Sequence, residues 1–306
     1  MAGIVTLTLN PSVDLAVSTE RVAPEDKLRC SAPQRDPGGG GVNVARAASR
    51  LGADVRAVLP TGGPAGEQLR QLLAGEDLPV TTIDLAGETR ESWTVDETSS
   101  DDQYRFVLPG PSLSDEELAA CLAAVDEHAG TVVVGSGSLP PGVADDTWAR
   151  LVRSCADAGV RTIVDTSGPP LRDAVEAGVW LIKPNLRELA DLVGRDLEDD
   201  SAVRAAAEEL LDGGTEAVVV SMGAAGAMLV TAAGATHVRS PTVPIRSRVG
   251  AGDSAVAGIA SSLLRGDDLA TAVRWGVAAG AAAVLTEGSE LCRREDTERL
   301  FAELTD

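Results

Sequence analysis

Asp253 stands in the run Val249-Gly250-Ala251-Gly252-Asp253-Ser254, directly ahead of an alanine-rich stretch. Two glycines let the backbone turn tightly and come close to a ligand. The first N–H groups of a helix opening at Gly250, Ala251 and Gly252 lack intrahelical partners and form an anion site. A carboxylate in that first turn can take a proton from an incoming hydroxyl. A plain helix cap fits the same run.

Four more stretches could carry chemistry. Gly38-Gly39-Gly40-Gly41 runs straight into Val42-Asn43 and a helix. Its N–H groups and the Asn43 amide suit sugar hydroxyls, and a flexible linker is the plainer use. Lys183-Pro184-Asn185-Leu186-Arg187-Glu188 follows an apolar strand. Asn185 and Glu188 lie three apart, so they could hold Mg²⁺ through water or form a capping box; the spacing serves both. Ser138, in Ser136-Gly137-Ser138-Leu139-Pro140, follows a valine-rich strand. Strand carboxyl ends are where α/β proteins bind ligands, though an ordinary turn also fits. Asp14 could grip a sugar diol or cap a turn.

Two nucleotide signatures are missing. No Gly-x-x-x-x-Gly-Lys-Ser/Thr loop occurs. Gly223-Ala224-Ala225-Gly226 lacks the leading Gly-x of a dinucleotide fingerprint.

The formal net charge is −21 and the pI about 4.4, which disfavours nucleic acid and anionic membrane as partners. A site for anions must then be built locally. Of the 26 basic side chains only Lys27 and Lys183 are lysines. Lysine supplies a compact ammonium that arginine does not replace, which marks both positions. Cys30, Cys121, Cys155 and Cys292 show no metal-ligand spacing and read as buried small hydrophobes in a reducing compartment. No secretory leader and no membrane-length apolar run is visible, so a cytoplasmic location is expected.

The elements that must position these residues alternate. Strands are expected at Gly3–Leu9, 55–59, 131–135, 161–165, 179–182 and 216–221. Helices are expected at Val42–Leu51, 67–73, from the Ser114/Glu117 capping box to about His128, 148–158, 201–211, 252–265 and 268–285. Continuous apolar strands between helices mean a parallel sheet covered on both faces. Residues 12–37 and 90–108 break the alternation. They carry period-two segments such as Trp93-Thr94-Val95 and Tyr104-Arg105-Phe106, expected to form a small antiparallel sheet.

Asp14, the glycine run with Asn43, Thr89-Arg90, Gly137-Ser138-Leu139-Pro140, the Lys183–Glu188 stretch, Ser221-Met222-Gly223 and the Gly250–Ser254 run occur in one order over the whole chain. That order resembles the ribokinase-like, or phosphofructokinase-B, family of sugar kinases. Lys27–Pro33, Gln103–Val107 and Arg274–Gly280 resemble most the subgroup acting on fructose 6-phosphate. Its relatives acting on fructose 1-phosphate or tagatose 6-phosphate usually carry lysine where this chain has Gly40, and they are the alternative substrates; a catalytically silent sugar-phosphate sensor is the alternative of another class.

The resemblance implies a ribokinase-like three-layer α/β/α domain over 1–306. Its mostly parallel central sheet would carry a small antiparallel lid from 12–37 and 90–108. It implies ATP as phosphoryl donor, Asp253 as base and the Gly250–Asp253 N–H groups as the hole for the transferring phosphoryl. Asp14, Gly39 and Asn43 would touch the sugar. Lys27, Arg90 and Ser138, with Arg29 and Arg105, would meet its phosphate. Lys183, Asn185, Ser221, Gly223, Gly226, Val277 and Ala281 would meet the nucleotide, with Glu188 near Mg²⁺. Ser247, Val249, Ala283, Thr286, Gly288 and Glu290 map to a candidate K⁺ site, where Thr286 and Glu290 depart from the family pattern. A homodimer through the lid is expected, because the short lid segments cannot bury their own apolar face.

Overall fold

The structure, a computed structural model, describes residues 3–304 except Asp101, Ala129, Glu287 and Ser289. The apolar run after Gly3 forms β1 (Ile4–Leu7), buried throughout. It lies parallel between β4 (Val55–Thr61) and β8 (Val132–Ser136). The sheet continues through β9 (Arg161–Asp165), β10 (Leu181–Ile182) and β11 (Ala217–Ser221). It ends in the antiparallel strands β12 (Ala227–Thr231) and β13 (Gly234–Val238), while β5 (Val80–Asp84) forms the other edge.

Helices cover both faces. On one side lie α1 (Gly40–Arg50), α2 (Gly63–Ala74), α8 (Ala251–Leu264), α9 (Leu269–Ala283) and α10 (Arg294–Glu303). On the other lie α3 (Asp115–His128), α4 (Thr147–Asp157), α5 (Pro169–Glu176), α6 (Leu186–Val193) and α7 (Asp200–Asp212). Strand β8 shows why the sequence demands this. Val132 and Val134 face the first set and Val133 the second, all fully buried, so a strand that points valines to both faces needs cover on both sides. The capping box at Ser114 and Glu117 is made, with both reciprocal bonds present.

The small sheet comprises β2 (Ser12–Thr19), β3 (Gln34–Gly38), β6 (Arg90–Glu97) and β7 (Asp102–Val107), in the order β3-β2-β6-β7. Its outer pairs are antiparallel, as the alternation predicts. The central pair is parallel, Ser12–Thr19 against Arg90–Glu97. The chain reaches β6 only after crossing α1, β4, α2 and β5, and such a crossover permits parallel pairing. Leu15, Trp93 and Phe106 align in one cross-strand row and Val17, Val95 and Tyr104 in the next. Leu15 and Val17 are buried, whereas Trp93, Tyr104 and Phe106 are exposed, Phe106 by 53%.

The cysteine expectation fails at one position. Cys121, Cys155 and Cys292 are buried, but Cys30 is exposed, because the 20–33 segment loops outward beyond the end of β2.

Candidate active site

The parallel strands deliver polar side chains at their carboxyl ends, where a doubly covered sheet leaves room for ligands. Asn10 lies beyond β1, Asp165 ends β9, Lys183 follows β10 and Ser221 ends β11. Between these ends and the small sheet lies a cavity of about 330 Å³. Asp14, Gly39, Gly40, Asn43, Arg90, Arg105, Arg248 and Asp253 are among the residues that line it.

Asp253 sits in the first turn of α8. Gly250 precedes it with φ 74°, the left-handed conformation that glycine adopts without steric cost. The Ser254 N–H makes the first intrahelical bond, to Gly250 O at 2.8 Å. The N–H groups of Ala251, Gly252 and Asp253 are left to face a ligand. Asn43 Nδ2 donates to Asp253 Oδ2 at 3.0 Å. Burial pushes the Asp253 pKa up to about 7, with the Asp165 carboxylate adding to the rise and the Asn43 bond opposing it. A carboxyl so poised can take a proton near neutral pH.

Lys183 lies behind it. Its Nζ is 3.2 Å from Asp165 Oδ1, and both side chains are largely buried. Burial works against the ammonium, but the carboxylates of Asp165, Asp253 and Glu188 outweigh it and hold the Lys183 pKa above the ordinary value. A Cβ placed on Gly252 would meet Lys183 Nζ at 3.5 Å, so the ammonium borders the helix start.

At the lid wall, Ser12 Oγ donates to Asp14 Oδ1 at 2.6 Å. Burial raises the Asp14 pKa against that bond and the pull of Arg90 and Arg105. Arg90 donates to Asn10 O from Nε (3.2 Å) and Nη2 (3.0 Å). Asn10 Nδ2 in turn donates to Ser138 Oγ at 3.1 Å. Ser138 thus joins Arg90 through Asn10 and stands just outside the cavity lining.

Asn185 and Glu188 form the capping box of α6. Asn185 N–H donates to Glu188 Oε2 (2.8 Å) and Glu188 N–H to Asn185 Oδ1 (2.9 Å). Burial, then the Asp165 charge, raises the Glu188 pKa despite those bonds. Ser221 bridges to the same stretch, its N–H donating to Pro184 O at 2.8 Å. Gly223 opens a short 3₁₀ turn directly after it, and Gly226 closes that turn. Val277 and Ala281 lie further along, on α9, beside β12 and β13.

The six residues of the candidate cation site fall into two hydrogen-bonded groups of three. Ser247 Oγ donates to Gly288 O at 2.6 Å and accepts from Val249 N–H at 3.2 Å. Thr286 Oγ1 is within reach of the carbonyls of Ala283 (2.7 Å) and Glu290 (2.5 Å).

Lys27 and Arg29 do not line the cavity. Ser31 N–H donates to Ser18 O and Thr19 Oγ1 to Arg29 O, which ties their loop to the far end of β2. Three lining or supporting residues escaped the sequence reading: Asn10, Asp165 and Arg248. Asp165 carries one usable cue, its place at the end of the strand Arg161–Asp165. Arg248 and Asn10 sit in segments without periodicity.

The family model described as pfkB family carbohydrate kinase matches residues 7–296. The ATP-dependent 6-phosphofructokinase isozyme 2 of Escherichia coli strain K12 is 44% identical over 308 residues, covering all of both chains. Solved structures of the Escherichia coli phosphofructokinase-2 in complex with potassium and with fructose-6-phosphate superpose with TM-scores of 0.96 and 0.94, at 43% identity over the full length of both chains. With a carboxylate at the head of a glycine-flanked helix, a lysine beside it and a sheet roofing the cavity between, the chain belongs to the pfkB family of carbohydrate kinases.

Proposed function

We propose that the chain phosphorylates the 1-hydroxyl of fructose 6-phosphate with ATP, giving fructose 1,6-bisphosphate and ADP. The observation that carries this reading is Asp253, with its pKa of about 7 and its Asn43 bond, set at an open helix start. Full-length similarity to a 6-phosphofructokinase supports the choice of acceptor. Gly40 supports it too: a Cβ there would stand 2.4 Å from Ser136 Oγ and 2.9 Å from Gly137 N, so the spot is packed without a side chain.

In this reading Asp253 accepts the hydroxyl proton and the first N–H groups of α8 take up charge on the phosphoryl. Asp14 and Asn43 orient the sugar; Arg90 and Arg105 meet its phosphate. The lid excludes water and so limits ATP hydrolysis. The Asp165 charge helps raise the Glu188 pKa; the two carboxylates are hard oxygen donors that would suit Mg²⁺, and bound there Mg²⁺ would balance the nucleotide phosphates. The hydroxyls of Ser247 and Thr286 and the backbone carbonyls of Ala283, Gly288 and Glu290 are neutral oxygens, the type suited to a monovalent ion such as K⁺. Residues 1–306 form one kinase domain with its lid. Among the described residues no helix is long and apolar enough to cross a membrane, in keeping with a cytoplasmic enzyme.

We read the exposed patch of Trp93, Tyr104 and Phe106 as the seat of a second copy, packed lid to lid about a two-fold axis. In such a dimer the Lys27–Arg29 loop has a sugar phosphate of the neighbouring site to meet.

An assay of ADP release with fructose 6-phosphate, fructose 1-phosphate and tagatose 6-phosphate tests the reading. The highest kcat/KM is expected for fructose 6-phosphate; a higher value for either other sugar overturns it.

A further inference from the structure

Three arginines line the cavity, and they differ in what already holds them. Arg90 is committed to Asn10 O, Ser92 Oγ and Leu108 O. Arg105 projects from β7 of the lid and acts on Asp14. Arg248 comes from the opposite wall, two residues before the Gly250 turn and five before Asp253. Among the described residues its guanidinium has no hydrogen-bond or ion-pair partner. Its backbone is nevertheless pinned. On one side Ser247 is buried and bonded to Gly288 O; on the other, Val249 N–H returns to Ser247 Oγ.

Charge at that wall calls for a cation. A phosphoryl group arriving beside Asp253 meets a carboxylate, with the charges of Asp165 and Asp14 near it. Lys183 is already paired with Asp165. The helix start supplies only about half an elementary charge. The guanidinium fork matches phosphate oxygens in pairs.

We propose that Arg248 binds the phosphoryl group while it is transferred, spanning the equatorial oxygens opposite the α8 N–H groups. In the step it serves, the acceptor oxygen bonds to phosphorus as the bond from phosphorus to the β-phosphate oxygen breaks. The electron pair leaves on ADP, and the acceptor proton goes to Asp253. Arg248 keeps its own protons and offsets charge on the group in flight. The proposal rests on the kinase reading above.

The test compares wild type, Arg248→Ala and Arg248→Lys. With fructose 6-phosphate and ATP, the alanine variant should lose kcat by about 10²-fold, less than the 10³–10⁵ of a fully enclosed arginine finger because Arg248 is exposed. Its KM for fructose 6-phosphate should stay within about threefold, and lysine should recover part of kcat. By calorimetry, fructose 6-phosphate alone should bind all three equally. ADP with aluminium fluoride, added to the sugar-bound enzyme, should bind Arg248→Ala at least about tenfold more weakly. A raised sugar KM with unchanged kcat would assign Arg248 to the acceptor's own phosphate and overturn the proposal, and unchanged kinetics would overturn it too. Wild type inactive with fructose 6-phosphate would instead remove the underlying reading, so the two failures are distinct.

Discussion

Asn43 Nδ2 and Asp253 Oδ2 are joined by a 3.0 Å hydrogen bond across 210 positions of sequence. It links the first turn of α1 to the first turn of α8, the two helices that follow glycine runs. The donor stabilises the ionised carboxylate, against burial and the nearby Asp165, which destabilise it. The proton affinity of Asp253 is therefore set by Asn43 on a helix and by Asp165 and Lys183 at the ends of two strands.

Asp253→Asn should lower kcat by about 10²–10⁴-fold, the usual cost of losing a general base. It also removes a buried charge that Asp165 repels. The melting temperature at pH 8 should therefore be unchanged or higher. Activity within a few-fold of wild type, measured on the purified variant, would take the base role from Asp253.

The pH profile follows from the raised pKa. A base works only when ionised, so kcat/KM should fall as pH drops through about 7 and level off above it. Asn43→Ala deletes a bond that lowers the Asp253 pKa, so the midpoint should move to higher pH. A midpoint shifted to lower pH would contradict the assignment of that bond.

Lys183→Met should destabilise the fold by about 3–5 kcal/mol, because Asp165 would be left buried without its partner. Adding Asp165→Asn should recover a large part of the loss. Urea unfolding of both single variants and the double variant measures the coupling. Strictly additive effects would show that the pair does not act as a unit.

Gly40→Lys should not redirect the enzyme toward fructose 1-phosphate. The new Cβ meets Gly137 N at 2.9 Å, so backbone must shift, and overpacking of that kind costs about 1–3 kcal/mol. Lower stability and lower turnover with both sugars are expected. A variant as stable as wild type that prefers fructose 1-phosphate would show that this position alone sets the choice.

Light scattering at micromolar concentration should give a dimer mass, and Trp93→Asp with Phe106→Asp should give monomers. A wild-type monomer with full activity would refute pairing through the lid, and an undisturbed dimer in the double variant would move the interface elsewhere.

The layered core was legible because its strands are unbroken apolar runs and its helices announce their caps, as Ser114 and Glu117 do. Asp253 and Asn43 were legible because each follows glycines at a helix start. Asp165 was not, since one aspartate after Ile163 and Val164 has no spacing to set it apart. Its meaning comes from Lys183, which reaches it only when β9 and β10 pair. The strands of the lid could be read from alternation, but the parallel pairing of β2 with β6 could not, because pairing direction depends on the path between them. Lys27 and Lys183 looked alike in composition, yet one is exposed on a loop and the other is buried in an ion pair.

That parallel pair also dictates an order of assembly. Ser12 faces Arg90, and everything between them belongs to α1, β4, α2 and β5 or to the 20–33 loop and β3. Closing so long a loop before its interior is ordered carries an entropy penalty that local contacts do not repay. The β1–β4–β5 half of the core should condense first and bring the two ends of the lid within reach. The roof of the catalytic cavity is then among the last parts of the chain to form and the first to open. Amide exchange in β2 and β6 should accordingly be faster than in β1 and β8, and a bound sugar phosphate should slow it most at the roof.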